Sequence, residues 1–292
     1  MVTFLLAILG LLLVIFLFVF LRDIWAHRET LNQESGSYLV SGIIGFFVDA
    51  LDAMGIGSFA PSTMLLGMFK QMDDDREMPG TLNVGHTVPV IIEAFIFIKV
   101  VEVAPLTLLT LIACAMLGGF IGSKFVTKLP EKKVQMFVGI ALILTAFLMA
   151  AKQLGYLEML GSGNTATSLD MGKLIIGGVG HFIFGALMTI GVGLYAPSMA
   201  LVYMLGLNPL IAFPIMMGSC AGQMPIASLN FVKEGKYNRK VSLMFTIFGS
   251  IGVFIATQFI TGMDMNMLTW VIIAVIIYTG FMYIRKSKVN EA

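Results

Sequence analysis

Two short stretches decide how this chain is built: Gly55-Ile-Gly57-Ser58-Phe-Ala60-Pro61-Ser62 and Gly191-Val-Gly193-Leu-Tyr-Ala196-Pro197-Ser198. They stand 136 residues apart (191 against 55), and that offset lays the chain on itself without a gap. Between 42–65 and 178–201, ten of twenty-four positions are identical, Gly42/Gly178, Phe46/Phe182 and Ala50/Ala186 among them. Further along, Pro89 falls on Pro225 and Phe95 on Phe231. Chance likeness between apolar segments does not align glycine, proline and serine at one offset, so the chain reads as a duplication.

The surrounding composition sets the solvent. Of 292 residues, 58% are hydrophobic and 12% charged, against roughly 25% charged in soluble domains. Mean hydropathy is +0.93. A soluble enzyme, a disordered chain and a nucleic-acid binder are excluded, the last also by a net charge of only +1. Continuous apolar runs without period-2 alternation exclude a β-barrel. Cys114 and Cys220 lie in apolar runs and form neither a disulfide framework nor a zinc site. The expected fold is an all-α polytopic membrane protein.

A spanning helix needs about 20 apolar residues. Val2–Leu21 supplies one, and it reads as an uncleaved first helix because its basic residues follow the apolar run. Further apolar segments lie near 38–53, 54–69, 82–99, 103–122, 134–151, 174–190, 191–206, 208–231, 241–260 and 268–284. Threaded in order, they bring the basic loops 22–28, 124–133 and 233–240 and the tail from Arg285 to one side, which places the N-terminus outside and the C-terminus in the cytoplasm. Each repeat holds five segments, an odd number, so the second enters the membrane from the opposite face. This is an inverted-topology repeat, a pattern of many secondary transporters. The division is 1–37 for the extra N-terminal helix and its loop, 38–152 for the first repeat, 153–173 for an external linker, 174–285 for the second repeat and 286–292 for the tail. Whether 38–69 and 174–206 are re-entrant or fully crossing stays open, because parity is the same either way.

The motifs Gly55-x-Gly57-x-x-x-Pro61 and Gly191-x-Gly193-x-x-x-Pro197, with the duplicated hydropathy over about 38–285, resemble the TauE/SafE sulfite exporter family, also called the toluene sulfonate uptake permeases. The resemblance implies transport of a small anion, sulfite or an organosulfonate, across the cell membrane, with no cofactor and no nucleic-acid partner. It carries no implication for oligomeric state.

The residues supply a chemistry for such a guest. Glycine tolerates unwound backbone, and proline is favoured at the first position of a helix. The expectation is therefore a broken helix restarting at Pro61 and at Pro197, with Ser62 and Ser198 in the first turn. Amide groups at two such N-termini, aimed from opposite sides, suit an oxyanion. The competing structural reading is that Gly-x-Gly only permits tight helix packing. Gly55, Gly57, Ser58, Pro61, Ser62, Gly191, Gly193, Pro197 and Ser198 are the substrate-binding candidates, joined by Asn83, His86 and Thr87 before Pro89 and by Ser219 and Gln223 before Pro225. Each of these polar residues alternatively satisfies a neighbouring helix.

Asp49, Asp52, His86, Glu93 and His181 fall inside the predicted membrane region, where ionisable groups are functional candidates by default. Asp49, Asp52 and Glu93 are candidates for proton coupling, with His86 as partner; capping of broken backbone is the alternative for the aspartates. His181 reads as a packing residue, and the run Asp73-Asp74-Asp75-Arg76-Glu77 as a solvated turn. Absence of a Gly-x-x-x-x-Gly-Lys-Ser/Thr motif leaves a proton or substrate gradient as the energy source. Two other classes compete: an intramembrane enzyme of aspartyl-protease type, and a non-transporting scaffold or sensor. The first usually shows Gly-x-Gly-Asp with its second aspartate on another helix, whereas here Ser58 follows the glycines and both aspartates share one helix.

Overall fold

The chain is described by a computed structural model covering residues 2–54, 56–98, 103–160, 162–259 and 266–289. It is helical almost throughout. The helices are α1 (Val2–Ala26), α2 (Tyr38–Ala53), α3 (Phe59–Met68), α4 (Met78–Phe97), α5 (Pro105–Val126), α6 (Glu131–Gln153), α7 (Tyr156–Leu160), α8 (Met171–Met188), α9 (Tyr195–Met204), α10 (Pro209–Glu234), α11 (Arg239–Met244), α12 (Ser250–Phe259) and α13 (Asn266–Val289). A five-residue π segment, Phe245–Gly249, joins α11 to α12. The sole β feature among the described residues is an isolated bridge between Ala166 and Leu207. Six stretches among them are long and apolar enough to cross a membrane: α1, α5, α6, α8, α10 and the continuous α11–α12.

Their surfaces suit hydrocarbon. α1 buries the stripe Leu5, Leu9, Phe16 and Phe20 against the body and leaves Phe4, Leu11, Val14 and Phe18 exposed. Exposed large apolar residues recur on α5, α6, α8, α12 and α13, the pattern of helices solvated by lipid instead of water.

The 136-residue offset reappears in the helices. α3 and α9 are both ten residues long, and their bounds differ by 136 at each end. Packing repeats with the halves exchanged: α5 lies on α8, the α11–α12 helix lies on α2, α4 packs on α10, and α6 packs on α13. The close approaches match too. A Cβ on Gly118 of α5 would run into the Phe182 carbonyl of α8, and one on Gly252 of α12 into the Phe46 carbonyl of α2, and Phe46 and Phe182 are repeat counterparts.

Hydrogen bonds bring together the two ends of the first helix pair in each half. Ser37, just before α2, donates its N–H to Gln71 Oε1 at 2.7 Å, just after α3. Asn208, after α9, donates to the Ala166 carbonyl at 2.9 Å, before α8. Asn164 Nδ2 reaches the Tyr203 carbonyl at 2.7 Å. Both pairs are hairpins that return to the level where they began. At ten residues and about 1.5 Å each, α3 and α9 are half-spans.

The two hairpins open at different ends. The mouth of α2–α3 adjoins the end where Arg239 binds Asp23 and Glu34 and where Lys286 binds Asp75. That of α8–α9 adjoins the 103–107 connection, through Ala104 N–H to the Thr167 carbonyl and Leu169 N–H to Thr107 Oγ1. The acidic run 73–77, expected to be a plain solvated turn, is a clasp. Asp75 is buried, and its Oδ2 accepts from Gln135 Nε2 at 2.8 Å and from Lys286 Nζ at 2.6 Å. A carboxylate that gains two donors is held in the interface despite its desolvation cost.

Candidate functional site

Each hairpin is interrupted at its glycine motif. α2 ends at Ala53, Gly57 takes φ +92°, and α3 begins at Phe59; α8 ends at Met188, Gly191 takes φ +110°, and α9 begins at Tyr195. These φ values lie in the region open to glycine. Gly55 lies outside the described residues. A Cβ placed on Gly57, Gly191 or Gly193 would meet nothing within 4 Å, so these glycines do not serve tight helix packing.

The restart corrects the expectation in one detail. Helix resumes two residues before each proline, leaving Pro61 and Pro197 at the third helical position. The first four N–H groups of a helix have no intrahelical acceptor, so a missing N–H costs as little there as at the first.

Both breaks face one partly open space. A cavity of about 40 Å³ is walled by Gly57, Ser58 and Ala60 on one side, by Gly193, Tyr195 and Pro197 on the other, and also by Asp52, Thr145 of α6 and Cys220 of α10. A water needs about 10–15 Å³ by this measure, so the space takes roughly three waters or one four-atom oxyanion. The first-turn amides of Phe59, Ala60, Tyr195 and Ala196 belong to residues of its wall, and neither helix has a side-chain cap. Ser58 is placed to cap α3, yet its hydroxyl donates to Asp52 Oδ2 at 2.8 Å. Among the described residues no lysine or arginine lines the space.

Behind this wall the two serines are held in parallel ways. Ser62 Oγ lies 2.9 Å from His86 Nε2, and His86 Nδ1 lies 2.6 Å from Asp49 Oδ1, all three fully buried. Ser198 Oγ lies 3.0 Å from His181 Nε2, whose Nδ1 lies 2.9 Å from the Gly177 carbonyl. The order Asp49–His86–Ser62 is that of a hydrolytic triad. Ser62, however, is buried and absent from the cavity wall, so no acyl group reaches it. Glu93 accepts from Tyr195 OH at 2.9 Å. His181, which reads from sequence as packing, thus holds a candidate serine, and Tyr195 and Thr145 join the wall without a sequence motif. Tyr195 had one signal: it is the hydroxyl-bearing counterpart of Phe59.

Asn83, Thr87, Ser219 and Gln223 do not line the cavity. They lie on α4 and α10, whose packed faces need internal partners. Asn83 Nδ2 donates to the Pro79 carbonyl at 2.8 Å, Gln223 Nε2 reaches Asn83 Oδ1 at 3.5 Å, and Thr87 Oγ1 lies 3.0 Å from Ser228 Oγ. The ring of Pro89 frees the Gly85 carbonyl, and Thr246 Oγ1 occupies it at 3.3 Å. Several buried atoms near the centre keep no protein partner: Asp49 Oδ2, Glu93 Oε1, Thr145 Oγ1, Ser219 Oγ and Gln223 Oε1. Orphans cost about 1–3 kcal/mol each, which water or a guest relieves. Among the described residues no cluster of three His, Cys, Asp or Glu side chains could hold a metal.

Comparison with known proteins adds one match. The family described as "Sulfite exporter TauE/SafE" matches residues 1–149. The matched stretch takes in α1, which the sequence motifs had left outside the resemblance, and ends within α6. No curated protein and no solved structure matches the chain. With just over half its length matched, the chain belongs to the TauE/SafE sulfite exporter family.

Proposed function

We propose that this protein is a secondary transporter of a small sulfur oxyanion, of the size of sulfite, bound between the starts of α3 and α9 and moved together with protons. The observation that carries the reading is that two uncapped helix starts, 136 residues apart, line one partly open cavity. Each start brings about half a positive charge, which offers an anion favourable electrostatics without a lysine. About 40 Å³ suits sulfite; a toluenesulfonate needs the wall to open.

The same wall argues for protons. Ionised Asp52 in the wall, with Glu93 one hydrogen bond behind it, would repel an anion. A carboxyl that carries its proton removes that repulsion and becomes a donor to the oxyanion. Asp52 and Glu93 are therefore assigned the proton traffic, and Asp49 with His86 the support of Ser62. Inverted topology is part of this reading: the two hairpins open at different ends, and packing recurs with the halves exchanged. The N-terminus is assigned to the outside and the basic loops to the cytoplasm, following the positive-inside rule.

The aspartyl-protease alternative has little support. Asp49 is tied to His86 and Asp52 to Ser58, so the two carboxyls do not share a proton as a protease dyad does.

Reconstituted uptake of labelled sulfite, thiosulfate and toluenesulfonate, with and without a pH gradient, tests the proposal. Sulfite flux that rises with an imposed gradient is expected. Flux of none of the three, or of the bulky sulfonate alone, would reject it.

A further inference from the structure

A second and larger hollow lies away from the cavity. A half-open groove of about 930 Å³ runs between α3 and α13. Its walls include Met64, Met68, Met72 and Met282, and its mouth carries Lys70, Arg285 and Lys286 with Asp73 and Asp75. Asp75 is engaged by Lys286 at 2.6 Å and by Gln135, and Asp73 is exposed. Lys70 and Arg285 have no ion-pair partner among the described residues.

Lys70 is also in an unusual backbone position. α3 ends in a Schellman motif: Gln71 N–H donates to the Leu66 carbonyl at 2.9 Å and Lys70 N–H to the Gly67 carbonyl at 3.2 Å. The residue at Lys70's place must be left-handed, and glycine is usual there. α9 ends in the same motif, Leu207 to Val202 and Gly206 to Tyr203, and there the matching residue, Gly206, has φ +90°. Lys70 has φ +50° and is the one non-glycine residue with positive φ among those described. A lysine in place of the glycine that its own repeat uses accepts strain to keep a cation at the groove mouth.

We propose that this groove binds an anionic phospholipid, with the phosphate at Lys70, Arg285 and Lys286 and an acyl chain along the methionine walls. Cations at one end and flexible apolar walls beyond match an amphipathic ligand. A small hydrated anion gains nothing from methionine and loses hydration. Phe281 and Tyr278, both more than half exposed beside the groove, extend the apolar surface for a second chain. The inference does not depend on the transported substrate, since its test uses none.

The test is thermal unfolding of the purified chain in neutral detergent with added phosphatidylglycerol, phosphatidylcholine or inorganic phosphate, and native mass spectrometry of retained lipid. Phosphatidylglycerol is expected to raise the midpoint by several degrees with one lipid retained per chain, and the other two additions to leave it in place. Lys70→Gly relieves the strained turn, so its lipid-free midpoint rises while at least half of the phosphatidylglycerol increment is lost. Arg285→Gln loses a similar share without that rise. Equal increments in the wild type and both variants would overturn the site. So would an equal response to inorganic phosphate, which would assign a free anion, or a dimer closing the groove with no lipid retained.

Discussion

The α2–α3 and α8–α9 hairpins share one frame and differ in chemistry. Both break at a glycine motif, restart two residues before proline and close with the same helix cap. Both hold a first-turn serine on a histidine. In the first, His86 comes from α4 and leans on a carboxylate, Asp49; in the second, His181 comes from the same hairpin and leans on a backbone carbonyl. A carbonyl only accepts, so His181 carries its proton on Nδ1 and its Nε2 accepts from Ser198. His86 Nδ1 instead faces a carboxylate, whose other oxygen keeps no protein partner. At the places of Asp49, Asp52 and Glu93 the second half has Gly185, Met188 and Leu229. The glycine break and helix restart recur on both sides, while the carboxylates lie on one.

The largest expected effect comes from cutting each histidine out. His86→Leu leaves Asp49 buried without a partner. Breaking a buried ion pair from one side costs about 3–5 kcal/mol. His181→Leu removes neutral hydrogen bonds, and about 1 kcal/mol is expected. Thermal unfolding in detergent measures both. Equal losses would mean that Asp49 and His86 are held as a neutral pair, and the contrast between the hairpins would reduce to geometry.

Transport gives the next sharpest contrast. Asp52→Asn and Glu93→Gln keep shape and hydrogen-bonding capacity while removing titration. Each is expected to lower gradient-driven sulfite flux about tenfold, equivalent to roughly 1.4 kcal/mol on the barrier, and to flatten its dependence on pH. Met188→Leu, at the counterpart of Asp52, is expected to leave both unchanged. Asp52 and Glu93 variants with unaltered pH profiles would take proton coupling away from the first half.

How much of this was legible follows from what hydropathy can encode. Repeat length, helix-breaking glycines and the ten-residue half-helices are local properties, and the offset of 136 carried them directly to α3 and α9. Direction was not legible, since an apolar run of given length reads alike whether it crosses or returns; Gln71 against Ser37 decides it. Partners across the bundle were hidden for the same reason. Thr145 reaches the cavity from α6 and His181 reaches Ser198 across a helix break, and neither has a sequence motif. The polar residues before Pro89 and Pro225 could be read as serving a neighbouring helix, but which helix and which partners could not. A proline kink frees carbonyls and invites local donors, and such donors resemble a binding site in sequence.

The smallest effect concerns the mouths of the two hairpins. The first is followed by the acidic run 73–77, the second by the turn at Asn208. Glu77 lies in the acidic run, outside the spanning helices, and its carboxyl is pushed up to about 7, first by burial and then by Asp74 and Glu34, while Arg239 and Lys236 pull the other way. An acid whose folded value exceeds its unfolded one binds more protons when folded, so stability declines as pH rises from about 4.5 through about 7. The group is partly open to solvent, which screens its charge, and about 1 kcal/mol is the expected size of the decline. Glu77→Gln should remove that part of the pH dependence and leave the variant more stable than the wild type at pH 8, read as the unfolding midpoint between pH 5 and 8. The turn at Asn208 carries no acidic side chain of its own, so a decline that persists in Glu77→Gln would take the pH response away from the mouth of the first hairpin.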